Sequence, residues 1–220
     1  MRKDLNRVIT LALIVITLGV HTFVILSHHQ KLSYTDLKNR TVYLRNYLDT
    51  ELLQEGTGGT GIVYKITDKA TYILTCYHVL NACSEDKLYV RTIKGKLPTT
   101  IIKINEEEDL ALIKVNERLN KKAIKGVVKQ YKLGGFVNST GHYLGKPYFY
   151  NEGVITAKSG RYLVCQLPTA SGDSGSGVFN RKGELVGLVR GIKILPNIQL
   201  DTTQAMCIPA ETIKEFLGDF

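Results

Sequence analysis

The run Ser171-Gly172-Asp173-Ser174-Gly175-Ser176-Gly177 packs together more small residues than any strand requires. A loop of this kind lets main-chain N–H groups come close to a ligand oxygen, because glycine has no Cβ to block the approach. The hydroxyl of Ser174 is a poor nucleophile at its own pKa and needs a base to take its proton. The chain holds five histidines. His21 falls in a long apolar stretch and His28 and His29 follow it, which leaves His78 and His142. His78 sits in Thr75-Cys76-Tyr77-His78-Val79-Leu80, after an apolar strand-like run that can aim an imidazole, whereas His142 sits in a loop between Gly141 and Tyr143. His78 is the better base.

An imidazole base needs a carboxylate on its second nitrogen to fix the tautomer and stabilise the cation. Glu106-Glu107-Glu108-Asp109 offers four acids in a row before the apolar Leu110-Ala111-Leu112. The three glutamates read as a solvated loop, and Asp109 borders the apolar segment that could draw it inward. Spacing alone leaves this choice open. A thiol nucleophile is not expected: Cys165 lies in no comparable loop, and Cys76 is expected to project from the opposite side of its strand from His78. The four cysteines, Cys76, Cys83, Cys165 and Cys207, form no CxxC pair and no zinc-type spacing, and nothing calls for a metal or a cofactor.

The elements that must position these residues are short strands. Ile62–Ile66 and Thr71–Thr75 are rich in β-branched and aromatic residues around a turn-like Thr67–Ala70. Further strand-like runs are Leu88–Ile93, Thr99–Ile104, Leu110–Val115, Gly153–Ala157, Tyr162–Gln166, Gly177–Asn180 and Leu185–Val189, and Pro209–Leu217 reads as a closing amphipathic helix. Many strands with frequent turns indicate an all-β barrel or sandwich body. The glycine-rich Gly56–Gly61 opens that body; it lacks the Gly-Lys-Ser/Thr ending of a phosphate loop.

Before the body, Val8–Leu26 is almost wholly apolar, free of Asp, Glu, Lys and Arg with His21 its one ionisable side chain, and close to the ~20 residues that cross a bilayer. Arg2, Lys3 and Arg7 precede it, so residues 1–7 are expected in the cytoplasm, 8–26 as a single span and the rest on the far side. The apolar core exceeds a signal peptide's usual ~7–15 residues and no small-residue cleavage site follows, so an uncleaved anchor is expected. Residues 27–55 read as a juxtamembrane linker: Leu37, Leu44, Leu48 and Leu52 share one helical face, with Ser33 and Asp36 as an N-cap signal. The net charge of +9 is dispersed outside the anchor flank, which reads as a solvated basic surface and gives no nucleic-acid site.

Thr75–Leu80, Asp109–Val115 and Gly172–Gly175 resemble the three catalytic blocks of trypsin-like serine proteases, and are most similar to the bacterial HtrA/Deg branch without its PDZ module. Gly58–Val79 and Cys207-Ile208-Pro209-Ala210 resemble that branch's opening and closing segments. The resemblance implies two antiparallel six-stranded-type β-barrels over residues 56–220. It further implies Ser174 as nucleophile, His78 as base, Asp109 as its orienting acid, and the amides of Gly172 and Ser174 as the oxyanion hole. Peptide or protein substrate would pair with Val189-Arg190-Gly191, and Leu167-Pro168-Thr169-Ala170 would shape the P1 pocket. No acid stands in that stretch, so a small or medium apolar P1 residue is expected rather than Lys or Arg. The order His, Asp, Ser and the absence of G-x-S-x-G exclude an α/β-hydrolase. Ser176-Gly177 departs from the family's usual Gly-Pro. No Arg/Lys followed by an Ile-Val-Gly-Gly-like sequence opens the body, so Asp173 is left to find a partner other than a freed N-terminus.

Overall fold

In the computed structural model the described residues are 32–46, 58–81, 88–92, 95–194 and 200–220. Thirteen strands, β1 to β13 in chain order, make two antiparallel sheets. The first holds β1 (Thr41–Asn46), β2 (Gly58–Ile66), β3 (Thr71–Cys76), β4 (Leu88–Thr92), β5 (Gly95–Pro98), β6 (Thr100–Asn105) and β7 (Leu110–Val115) in the order β5-β4-β1-β2-β3-β7-β6. The second closes as a barrel, β10-β13-β12-β11-β8-β9, from β8 (Phe136–Gly141), β9 (Phe149–Ser159), β10 (Tyr162–Cys165), β11 (Gly177–Phe179), β12 (Leu185–Ile194) and β13 (Leu200–Pro209).

The expected six-stranded barrel is therefore found in the second sheet. The first is a seven-stranded open order, but its two edges, β5 and β6, are consecutive in the chain and separated by Thr99 alone. One extended run thus pairs with β4 at its start and β7 at its end. Pro98 lacks an N–H, which suits a point where the pairing partner changes.

The linker helix expected over 27–55 is only partly present. Helix α1 covers Tyr34–Lys38, with Ser33 Oγ accepting from Asp36 N at 3.1 Å as the N-cap pattern implies. The chain then turns extended, and Thr41–Asn46 pairs with β2 on one side and β4 on the other. Leu44 belongs to that strand, not to a helical face: Val42 and Leu44 alternate inward while Tyr43 and Arg45 lie half-exposed. Two neighbouring strands supply the main-chain partners that override a helical reading, and β-branched Thr41 and Val42 fit the sheet. Leu48 and Leu52 lie outside the described residues. So does the expected span Val8–Leu26; among the described residues no helix is long and apolar enough to cross a membrane.

Inside the first sheet Ile62, Leu74, Leu110 and Leu112 are buried together, and inside the barrel Val137, Leu163, Val178 and Ala205 are. The closing helix forms as Ala210–Leu217 and buries Ile213 and Phe216 in the first of these cores.

Candidate active site

Register brings the expected base and the expected acid together. β3 and β7 run antiparallel with Cys76 opposite Leu110, so the residues just beyond that pair meet at one sheet end. Tyr77 N donates to Asp109 O at 3.1 Å, and a helical turn, α2 (Tyr77–Asn81), starts at once and swings His78 over the carboxylate. Asp109 Oδ1 accepts from His78 N at 2.9 Å, and His78 Nδ1 lies 2.8 Å from Oδ2 and 3.0 Å from Oδ1. A carboxylate only accepts, so Nδ1 carries the hydrogen and Nε2 keeps its lone pair. The Asp109 side chain is 7% exposed and that of His78 46%, so the base faces the solvent side while its support is enclosed.

Burial alone would raise the Asp109 pKa; the His78 side-chain and main-chain hydrogen bonds and the nearby Arg190 charge outweigh it and hold the carboxyl below its ordinary value. Asp109 also sits at φ +56, an uncommon left-handed conformation that aspartate tolerates better than most residues. Glu107 and Glu108, by contrast, pair with Arg161 at the surface, as a solvated loop would.

Ser174 lies in a loop whose glycines are required by space. Gly172 and Gly175 have φ of +96 and +87. A Cβ on Gly172 would stand 2.2 Å from His142 O, and one on Gly175 would stand 1.9 Å from Thr60 O. The loop is stitched to the first sheet by Thr60 N donating to Ser174 O, and to β12 by Gly175 N donating to Val189 O, both at 2.8 Å. Asp173 N, Gly175 N and Ser176 N all donate to main-chain carbonyls. The amides of Gly172 and Ser174 have no acceptor among the described residues, which leaves the two N–H groups expected to form an oxyanion hole free for a ligand.

The Ser174 hydroxyl donates to Arg190 O at 3.1 Å, and Arg190 Nε reaches Asp109 Oδ2 at 3.1 Å. The structure thus joins His78 directly to Asp109, and joins Ser174 to that pair through Arg190. Of the other expected substrate contacts, Val189 is buried with its N–H given to Ser176 O and its carbonyl accepting from Gly175 N and Cys76 Sγ. Of the stretch expected to pair with substrate, Arg190 and Gly191 remain, with Gly191 opposite Met206 in the barrel. Pro168 is exposed, its carbonyl held by Asn151 Nδ2 at 3.1 Å, while the neighbouring Thr169 is buried.

The expectation that Cys76 points away from His78 is corrected. A Cys76, a His78 and an Asp109 ligand atom all lie within 4.8 Å of one another. Positions two apart on a strand share a face, so alternation does not separate the two side chains, and α2 begins directly after Cys76 with His78 as its second residue. The thiol is buried, which pushes its pKa well above the ordinary value and disfavours the thiolate that nucleophilic attack needs. Cys165 and Cys207 are likewise free and buried.

Asp173 is buried too, and burial pushes its pKa up to about 7 against the single main-chain bond from Ala170 N. Residues that sequence reasoning passed over line the back of the loop. Thr60 and His142, 82 positions apart, are hydrogen-bonded to each other behind Gly172. His142, read as a loop residue, is fully buried. No spacing signal links a β2 threonine to that turn; only the packing of the two sheets does.

Two antiparallel β-sheets, with His78 and Asp109 at the end of one and the Ser174 loop projecting from the other, define the chymotrypsin-like class of folds. The chain belongs to the trypsin-like peptidase domain family, whose pattern matches residues 59–188. It is 30% identical over 133 residues to the probable periplasmic serine endoprotease DegP-like of Hahella chejuensis, covering 56% of this chain and 28% of that one. It is 30% identical over 179 residues to the serine protease HtrA-like of Staphylococcus haemolyticus, covering 71% and 27%. It is 28% identical over 190 residues to the glutamyl endopeptidase of Staphylococcus aureus strain MW2, covering 76% and 57%. The matches span little more than a quarter of the first two relatives' length.

Proposed function

We propose that this chain is a serine endopeptidase that cleaves peptide bonds through an acyl-enzyme on Ser174. Ser174 Oγ attacks the scissile carbonyl, and His78 Nε2 takes its proton and later delivers it to the leaving amine. Asp109 holds the imidazole and stabilises its cation, and the Gly172 and Ser174 amides receive the developing oxyanion. The observation that carries this reading is the His78–Asp109 pair, whose 2.8 Å contact fixes the Nδ1–H tautomer and leaves Nε2 as the base. A protein or peptide substrate lies along Arg190 and Gly191, and a small apolar P1 residue fits a stretch, Leu167–Ala170, that holds no acid.

The apolar Val8–Leu26 behind Arg2, Lys3 and Arg7 supports anchoring by a single span, with the N-terminus cytoplasmic and the protease body on the other side. Retention in the membrane pellet after carbonate washing, with the body digested from the non-cytoplasmic face, is the expected result. Release by carbonate would remove the anchor.

One observation favours a second reading, a catalytically inactive barrel that binds peptides: the Ser174 hydroxyl is held by Arg190 O. A fluorophosphonate probe separates the two. Labelling that disappears in Ser174→Ala and His78→Ala is expected; an unlabelled wild-type protein that still binds peptide leaves the inactive module standing.

A further inference from the structure

Beyond the serine peptidase reading, on which this inference rests, the structure shows how the loop's amides are held in place. Each carbonyl from Ser171 to Ser174 has its own donor. Ser171 O accepts from Leu144 N at 2.7 Å, Asp173 O from Ser176 N at 2.9 Å and Ser174 O from Thr60 N at 2.8 Å. Gly172 O accepts from Thr60 Oγ1 at 2.8 Å. Across a trans peptide the carbonyl and the following N–H point in opposite directions. Fixing the carbonyls of Ser171 and Asp173 therefore turns the N–H groups of Gly172 and Ser174 to the other side, where they stand free.

Thr60 grips this loop twice, and its hydroxyl is saturated. One hydrogen goes to Gly172 O. The two lone pairs face His142 N at 3.2 Å and His142 Nδ1 at 2.9 Å. With its only hydrogen spent, the hydroxyl must accept from the imidazole, so His142 is the Nδ1–H tautomer. Its Nε2 then has a lone pair with no partner, and it is buried. An aromatic residue without nitrogens would fill the same slot without that orphan. The ring stacks on Tyr43 at 4.4 Å and 13°, beside Tyr148. What the imidazole adds is the Nδ1–H donor that orients the Thr60 hydroxyl. Burial, and next the charge of Lys121, push its pKa down to about 3, so the ring stays neutral and the tautomer persists.

We propose that Thr60 and His142 are positioning residues for the reaction: His142 aims the Thr60 hydroxyl, and Thr60 holds the Gly172–Asp173 peptide, which lies between the two peptides that carry the Gly172 and Ser174 amides, so that the oxyanion hole is formed before substrate arrives. They touch no reacting atom.

The test is turnover of a small ester by the full chain, normalised to sites titrated with a fluorophosphonate after prolonged labelling. Thr60→Val is expected to lower kcat by ~10²-fold, the scale of one lost oxyanion donor, with KM changed less than about threefold. Thr60→Ser, which keeps the hydroxyl, recovers most of it. His142→Leu lowers kcat in the same way and His142→Asn, which can still donate, lowers it less. Wild-type kcat per titrated site in Thr60→Val or His142→Leu overturns the proposal while leaving the peptidase reading intact, as does an equal loss in Thr60→Val and Thr60→Ser. A wild-type chain that neither turns over nor labels removes the peptidase reading instead. Should the variants fail to fold, the ¹⁵N spectrum of imidazole-labelled Ser174→Ala protein decides: a protonated Nδ1 on His142 upholds the arrangement, and a protonated Nε2 sinks it.

Discussion

The hydroxyl of Ser174 and the carbonyl oxygen of Arg190 are hydrogen-bonded at 3.1 Å, while the Arg190 side chain returns to Asp109 Oδ2, also at 3.1 Å. One residue therefore touches the proposed nucleophile through its main chain and the proposed orienting acid through its side chain. On the proposed mechanism, a peptide N–H laid against Arg190 O would compete for the serine's acceptor and release the hydroxyl towards His78 Nε2. Replacing substrate N–H groups one at a time by N-methyl is expected to show one position near the cleaved bond where kcat/KM falls ~10-fold or more, the worth of roughly one hydrogen bond. Equal rates for every methylated peptide would contradict this release.

Asp109→Asn should cost far more than removal of the arginine. An asparagine can offer Nδ2–H to the imidazole and so stabilise the tautomer with its hydrogen on Nε2, which cannot act as base; the expected loss in kcat is ~10⁴. Arg190→Ala keeps the carbonyl and leaves both His78 contacts to Asp109, and an ion pair whose arginine side chain is 46% exposed contributes only ~1 kcal/mol or less. Its kcat/KM should stay within about tenfold of wild type. Comparing the two variants with one ester substrate checks the ranking, and an arginine variant as impaired as the asparagine one would refute it.

Asp173 gives a pH signature. Its folded pKa is raised to about 7 by burial, against an unfolded value of about 4. The protonated form is the one the fold favours, so its contribution is fully present below about pH 4 and is lost as pH rises towards the folded value. The slope in that window is ~1.4 kcal/mol per pH unit at most. Asp173→Asn, which cannot ionise, should gain stability on wild type as pH rises from 4 to 8. Urea denaturation of both proteins across that range checks it; a difference that does not change with pH would be fatal to the assignment.

Much of this arrangement was legible in the chain. The blocks around His78 and Asp109 fall at strand ends because their neighbouring runs, Thr71–Thr75 and Leu110–Val115, have strand composition, and the Ser174 block is recognisable as a small-residue loop before Gly177–Phe179. The strand at Thr41–Asn46 was not legible, since Leu37 and Leu44 also fit a helical stripe and only pairing with β2 and β4 decides between the periods. Phe136–Gly141 escaped notice for a related reason: Asn138, Ser139 and Thr140 are buried polar residues, so the strand lacks an apolar alternation. The Thr60–His142 bond was out of reach altogether, because a side-chain contact across 82 residues leaves no local pattern.

Glycines in the left-handed region should differ sharply by surroundings. At Gly160, with φ +57, a Cβ would meet nothing within 4 Å, so Gly160→Ala should cost only the backbone term of ~1–2 kcal/mol. At Gly175, with φ +87, the same atom would lie 1.9 Å from Thr60 O and 2.4 Å from Thr75 Oγ1, so the loop must move. Gly175→Ala is expected to lose fluorophosphonate labelling and to melt well below Gly160→Ala. Similar melting points and labelling would mean that the loop gives way more easily than its packing implies.

The strongest structural prediction concerns where the folded body begins. Glycine spacing and strand composition place its start near Gly56, yet Leu32, Leu37, Val42 and Leu44 are buried in the first core. At ~1.5–3 kcal/mol for each buried side chain they contribute roughly 6–12 kcal/mol, comparable to the ~5–15 kcal/mol total stability of a domain. The loss would also be topological, because β1 lies between β4 and β2 and its removal divides the sheet. Arg40 adds a tie to the second sheet's connections, donating from Nη1 to Gly183 O at 2.7 Å. A chain beginning at Leu53 should therefore show no cooperative thermal transition and no fluorophosphonate labelling, whereas one beginning at Lys31 should show both. Cooperative unfolding of the shorter chain at a similar temperature would demonstrate that β1 is an accessory strand and that the core closes without it.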